Sequence, residues 1–113
     1  MTDKDRQILQ KILSYISEAM SFVEGMDFDS FMADRKTISA EAFTIGQIGE
    51  LVNLLSEETE NAHPQIPWKS IRGMRNRIIH DYENVDLTVL WSTVTINLPE
   101  LQEVLALLLA EGS

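Results

Sequence analysis

The stretch RGMRNRIIHDY, Arg72 to Tyr82, gathers residues that could act on a phosphodiester. A neutral His80 can take a proton from a ribose 2′-hydroxyl, and a protonated one can give a proton to a leaving oxygen. Arg75 offers a planar fork of donors to a phosphate, where charge grows in the transition state. Asn76 can orient His80 or bond the substrate directly. Tyr82 can bind a phosphate, stack on a base, or serve as a modification target. Arg72, Asn76 and Arg77 are candidate substrate-binding residues, beside Arg75 and His80 as the candidate catalytic pair. No metal set accompanies them, and attack by a 2′-hydroxyl needs neither metal nor cofactor.

Spacing decides whether these groups can meet. If Arg72 to Tyr82 is one helix, Ile71, Met74 and Ile78 form the face that packs inward. Arg72, Asn76 and His80 then stand four apart and make one polar stripe. Arg75 and His80 would be about 140° apart on an ideal helix. They serve one site only if the helix end distorts, or if a ligand or second subunit spans the gap. The same residues also fit a plain solvated basic face.

The rest of the chain must position that segment. It has 113 residues, the size of one domain, 1–113. Its formal net charge is −9, which opposes non-specific binding of nucleic acid by the whole surface. Lys69, Arg72, Arg75 and Arg77 are a local exception. There is no Cys, so disulfides and thiolate zinc sites are excluded. The N-terminus lacks a signal-like apolar stretch, and no apolar run approaches the ~20 residues of a spanning helix. A soluble cytoplasmic protein without membrane contact is expected.

The pattern is helical nearly throughout. Ile8, Ile12, Ile16, Ala19 and Val23 recur at spacings of three and four. Gly25 interrupts, and Asp27 or Asp29 can cap the next helix. A second helical region runs from about Phe28 to Glu58, bent near Lys36 to Ser39. Its apolar positions include Phe43, Ile48, Leu51, Val52 and Leu55. Gly46 and Gly49 inside it each cost roughly 1 kcal/mol of helix stability, which points to the close approach of another helix backbone. The run ENAHPQIPW is the clearest break, with Pro67 suited to open the next helix. Asp86 can cap a last helical region with the stripe Leu87, Leu90, Trp91, Val94, Leu98, Leu101, Val104, Leu105 and Leu108. Pro99 should kink or split it. The predicted fold is all-α: an antiparallel bundle of four to five helices.

The motif now carries a resemblance. MRNRIIHDY fits an Arg-x4-His-x-Tyr signature, with Arg75, His80 and Tyr82 in its fixed places. IGELVNLLSEE (Ile48 to Glu58), IPWKSIRGMRNRIIHDY (Ile66 to Tyr82) and VDLTVLWSTVTINLPEL (Val85 to Leu101) extend the likeness over almost the whole chain. The sequence resembles the HEPN superfamily (higher eukaryotes and prokaryotes nucleotide-binding). Within it, the chain looks like the small prokaryotic HepT-like ribonuclease toxins, partners of minimal nucleotidyltransferases in toxin–antitoxin pairs. The resemblance implies an all-α bundle that forms a homodimer, with both motif helices lining a shared cleft. It implies a metal-independent endoribonuclease acting on tRNA or mRNA, with Arg75 and His80 catalytic. Tyr82 would be the residue that a cognate nucleotidyltransferase antitoxin adenylylates to silence the toxin. One departure is Glu83, where many relatives carry an aromatic residue. With Asp81 it adds negative charge that should weaken RNA binding.

Other residues have plainer readings. His63 reads as a solvated loop residue, Trp68 as a buried anchor at a helix start, and Trp91 as core. The run SEETE, Ser56 to Glu60, reads as a solvated helix end. Glu50 matches the family pattern, and a polar contact across the dimer is one role it could have. The competing function is a non-catalytic helical module that binds nucleotide or docks a nucleotidyltransferase.

Overall fold

The computed structural model describes residues 1–80 and 84–111. Among them the regular structure is helical, apart from one isolated antiparallel bridge between Ile79 and Val85. Four long helical runs form the bundle, as the apolar stripes predict. These are α1 (Asp3–Phe22), α3 (Arg35–Asn53), α5 (Trp68–Ile78), and α6 (Leu87–Ser92) continuing through a π-helical turn (Thr93–Asn97) into α7 (Leu98–Glu111). The short α2 (Phe28–Met32) and α4 (Glu57–Ala62) stand between them.

α1 buries Ile8, Leu9, Ile12, Ile16 and Ala19 on one face. It packs against α3 and α7, while α5 lies on another side of α3. The region from Phe28 to Glu58 is not one bent helix. It breaks at Ala33–Asp34, upstream of the expected bend, because two aspartates cap separate helices. Asp27 closes a capping box with Ser30 over α2, and Asp34 accepts from the Thr37 amide at 3.1 Å to start α3. The acidic run, expected as a solvated helix end, is instead the start of a new helix, with Glu57 and Glu58 exposed. Ser56 accepts from the Thr59 amide, and Glu57, Glu58 and Glu60 occupy the first turn of α4, where the helix dipole favours carboxylates. The break before α5 is therefore shorter than ENAHPQIPW.

Asp5 ties α1 to α4. Its carboxylate is buried and accepts from the Ser56 hydroxyl at 2.5 Å and the Thr59 hydroxyl at 2.6 Å. Burial pushes its pKa up, but these bonds outweigh burial and hold it below the ordinary value.

The disturbance expected near Pro99 is a π turn. The Leu98 amide reaches back five residues to the Thr93 carbonyl. A regular turn would set the Pro99 ring against a carbonyl, and the wider turn relieves this. The hydroxyls of Thr93 and Thr95 bond the carbonyls of Val89 and Trp91, at 2.7 Å each, and help bend the segment. Leu87–Glu111 is long and apolar enough to cross a membrane by length and composition, although polar residues interrupt its apolar runs and hide this in the sequence. Leu90, Val94, Leu98, Leu101, Leu105 and Leu108 are nonetheless buried in the bundle core. Trp91 is half-buried and packs against Phe31 and Phe28, with ring centroids 5.1 and 6.1 Å away. Trp68 is the expected anchor: it is buried, and its indole donates to the His63 carbonyl at 3.0 Å.

Candidate active site

α5 is held against α3 by small residues and by one arginine. A Cβ added at Gly49 would sit 3.6 Å from the Arg72 carbonyl oxygen and 3.8 Å from that of Ile71. At Gly46 it would sit 3.4 Å from Cδ of Arg75. Gly49 thus marks the close approach of another helix backbone, as its cost suggested, whereas Gly46 faces only the Arg75 side chain. Trp68, Ile71, Met74 and Ile78 bury the inner face of α5.

α5 stops at Ile78, so the expected continuous helix through Tyr82 is not formed. Ile79 is extended, with φ −109° and ψ 107°. The Asp86 amide donates to the Ile78 carbonyl at 2.7 Å, and the His80 amide to the Asn84 carbonyl at 2.8 Å. With the Ile79–Val85 bridge, these bonds draw together the chain on either side of residues 81–83. The expected stripe of Arg72, Asn76 and His80 therefore loses its third member: His80 lies beyond the helix. The 140° separation of Arg75 and His80, which holds for one ideal helix, no longer applies, because α5 ends at Ile78. Tyr82, with Asp81 and Glu83, lies outside the described residues.

The three motif arginines have different surroundings. Arg72 pairs with Glu60 of α4, and its Nε donates to Asn53 Oδ1 at 3.1 Å. Arg77 folds back over Gly73 and donates to the Ser70 carbonyl at 3.0 Å. It lines a cavity of about 380 Å³ toward α7, with Met74, Leu98 and Leu101. Arg75 is exposed, and its side chain makes no hydrogen bond or ion pair among the described residues. It lines a separate groove of about 390 Å³ against α3, with Ile79, Phe43, Gly46, Gln47 and Glu50. Asn76 and His80 are exposed beside it in the chain. The structure thus brings Arg75 and the residue preceding His80 to one groove, and directs Arg72 and Arg77 elsewhere. Among the described residues, no three His, Cys, Asp or Glu side chains gather to hold a metal ion.

Sequence reasoning missed the α3 wall of this groove. Phe43, grouped in the sequence with the apolar positions of this region, is 63% exposed. The overlooked signal is angular: Phe43, Gln47 and Glu50 share one face of α3, opposite the buried Ile45, Ile48 and Val52. At the C-terminal end of α5 the helix dipole disfavours an anion, so a bound phosphate must be held by side chains such as Arg75.

Comparison with known proteins agrees with the family resemblance. The family model for ribonuclease HepT-like proteins matches residues 12–108. The chain is 34% identical over 110 residues to a Methanocaldococcus jannaschii protein named "Putative RNase MJ0127", covering 93% of this chain and 91% of the relative. It is 34% identical over 98 residues to "Putative RNase TTE0752" of Caldanaerobacter subterraneus, covering 87% and 88%. It is 32% identical over 102 residues to "Probable ribonuclease HepT" of Thermococcus cleftensis, covering 90% and 93%. No solved structure gives a significant match. The chain belongs to the HepT-like ribonuclease family of the HEPN superfamily.

Proposed function

We propose that this protein is a cytoplasmic endoribonuclease toxin that cuts RNA as a homodimer through Arg75 and His80. The observation that carries the reading is the state of Arg75. Of the three motif arginines, it alone has no polar partner among the described residues while facing an open groove. An arginine poised for a phosphate must be free of internal partners, since a paired one would exchange one ion pair for another.

The chemistry follows from the residue types. One His80 accepts the proton of a ribose 2′-hydroxyl as its oxygen attacks the adjacent phosphorus. A protonated His80 gives a proton to the departing 5′-oxygen. The products are a 2′,3′-cyclic phosphate and a 5′-hydroxyl. Two histidines in a shared cleft allow base and acid to be separate groups, which favours a dimer. Arg75 holds the phosphate oxygens as negative charge builds on them. Asn76 assists binding.

Tyr82 is the proposed control point. A partner nucleotidyltransferase would join adenylate to its hydroxyl, adding a phosphodiester and an adenine two residues beyond His80 in the chain. Arg75 would then pair with the attached phosphate in place of RNA.

Cleavage of total tRNA and of mRNA by purified wild type and His80→Ala tests the nuclease reading, with circular dichroism as the folding control. His80→Ala should lose roughly 10²- to 10⁴-fold in rate. Equal cleavage by the two proteins would replace this reading with that of a helical binding module.

A further inference from the structure

We propose that the outward stripe of α3 (Phe43, Gln47 and Glu50), continued by its C-cap Leu54, is the self-pairing surface of this homodimer, meeting the same stripe of a second copy antiparallel about a two-fold axis between Ile48 and Gly49. The inference rests on the homodimer of the proposed function and adds its interface, register and consequence for the site.

The stripe is narrow and faces away from the core. On a regular helix the four residues fall within about 60° of arc. Phe43 is 63% and Leu54 57% exposed, so two large apolar side chains stand in water at its ends. A scattered exposed apolar residue needs no explanation, but two on one helix face with a polar centre make a pattern.

The pattern is symmetric. Phe43 and Leu54 lie equally far from the midpoint of Ile48 and Gly49, and so do Gln47 and Glu50. An interface between identical chains must be self-complementary under its two-fold axis. Antiparallel pairing about that midpoint sets Phe43 against Leu54 of the partner subunit, and Gln47 against Glu50 of the partner subunit. Each contact occurs twice. The Gln47 amide donates to the facing carboxylate, which gives Glu50 a role in the assembly. The helix dipoles oppose, which is the favourable sense. The exposed Arg35 and Lys36 at the start of α3 extend toward the end of the partner helix, where exposed Glu57 and Glu58 open α4. A parallel pairing would bring like ends together.

The symmetry also bears on catalysis. For antiparallel helices the two-fold axis lies in the interface plane, at right angles to both helices. Anything on one side of α3 reappears on the same side of its mate. α5 lies on one side of α3, with Arg75 across Gly46. Both α5 helices therefore edge the same side of the α3 pair, and two Arg75 side chains flank one cleft. A parallel pairing would send them to opposite sides and leave two separate grooves.

Cysteine cross-linking tests the register in a chain that has no native Cys. Phe43→Cys and Leu54→Cys proteins, mixed and mildly oxidised, should give a covalent dimer. Neither alone should do so, because two copies of position 43 would be about 16 Å apart along the helices, beyond disulfide reach. Cross-linking of Phe43→Cys with itself, or none in the mixture, overturns the register. Gln47→Glu provides an independent measurement by sedimentation. It sets carboxylates opposite one another twice, and should weaken the dimer by about tenfold or more. An unchanged dimer constant would overturn the pairing. Both readouts are made without RNA, so a failed register with intact cleavage refutes this interface alone. A correct register with no cleavage by wild type refutes the nuclease reading alone.

Discussion

Arg75 lies across Gly46, with its Cδ 3.4 Å from the point where a Cβ on residue 46 would stand. That distance is ordinary van der Waals contact, so the glycine is sterically replaceable by alanine and by nothing larger without movement of the arginine.

Gly46→Ala should therefore keep the fold and gain up to about 1 kcal/mol from helix propensity. Cleavage should change little. Gly46→Val adds carbons where the arginine stem lies, and should lower cleavage while the protein still melts cooperatively. Thermal melts paired with RNA cleavage rates check both outcomes. A Gly46→Val protein as active as wild type would show that Arg75 need not occupy this groove.

The arginines should separate by phenotype. Arg72 bridges α5 to α3 and α4 through Asn53 and Glu60, and its removal leaves a partly buried carboxylate without its partner. Arg72→Ala should cost about 1–3 kcal/mol of stability, with cleavage retained wherever the protein is folded. Arg75→Ala breaks no contact of this kind and should leave the melting temperature nearly unchanged. Its cleavage rate should fall by roughly 10²- to 10³-fold. Urea titration and single-turnover cleavage of both variants make the comparison.

The bundle was legible because its apolar residues recur at helical spacing. Ile8 to Ala19 are buried where the pattern put them, and so is most of the stripe from Leu90 to Leu108, although Val104 within it is exposed. The break at Asp34 was harder to read, because an aspartate before a polar turn marks a cap only when its side chain turns back to the amide of Thr37. The end of α5 was missed for a related reason. Nothing in RIIHDY breaks a helix, and the stop is made by Asp86 and Asn84 pairing with Ile78 and His80 across the chain. Composition identified a basic segment, but only packing could sort its arginines. Glu60 captures Arg72, the Ser70 carbonyl captures Arg77, and Arg75 is left in the groove.

Asp5 should govern acid stability at the α1–α4 junction. Its hydrogen bonds to Ser56 and Thr59 hold its pKa below the ordinary value despite burial. A lowered carboxylate pKa contributes stability that is present above the unfolded value and is lost as pH falls through the folded one. Asp5→Ala removes that contribution and leaves two hydroxyls without their acceptor. The variant should lose about 1–3 kcal/mol at neutral pH. It should also show a shallower decline below pH ~4 than wild type, since the unfolded carboxyl titrates near there. Urea midpoints measured from pH 3 to 7 would reveal both effects.

Glu41 should govern the alkaline side. It is fully buried on the core face of α3, and neither carboxylate oxygen has a hydrogen-bond partner among the described residues. Burial raises its pKa to about 8. The folded protein thus holds a neutral carboxyl at pH 7, whereas the unfolded chain ionises it from about pH 4.5 upward. A raised carboxylate pKa acts with the opposite sign to Asp5. Relative to its value below pH ~4.5, stability declines as pH rises and stops declining only above the folded pKa. The full span is roughly 5 kcal/mol, the size of a shift from about 4.5 to about 8. Glu41→Gln removes the titration while preserving shape. The variant should match wild type near pH 4.5 and exceed it by about 2–4 kcal/mol at pH 8. Chemical denaturation of both proteins between pH 4.5 and 9 provides the measurement. Parallel curves across that range would mean that Glu41 keeps an ordinary pKa in the fold, and that water or a cation reaches its carboxylate.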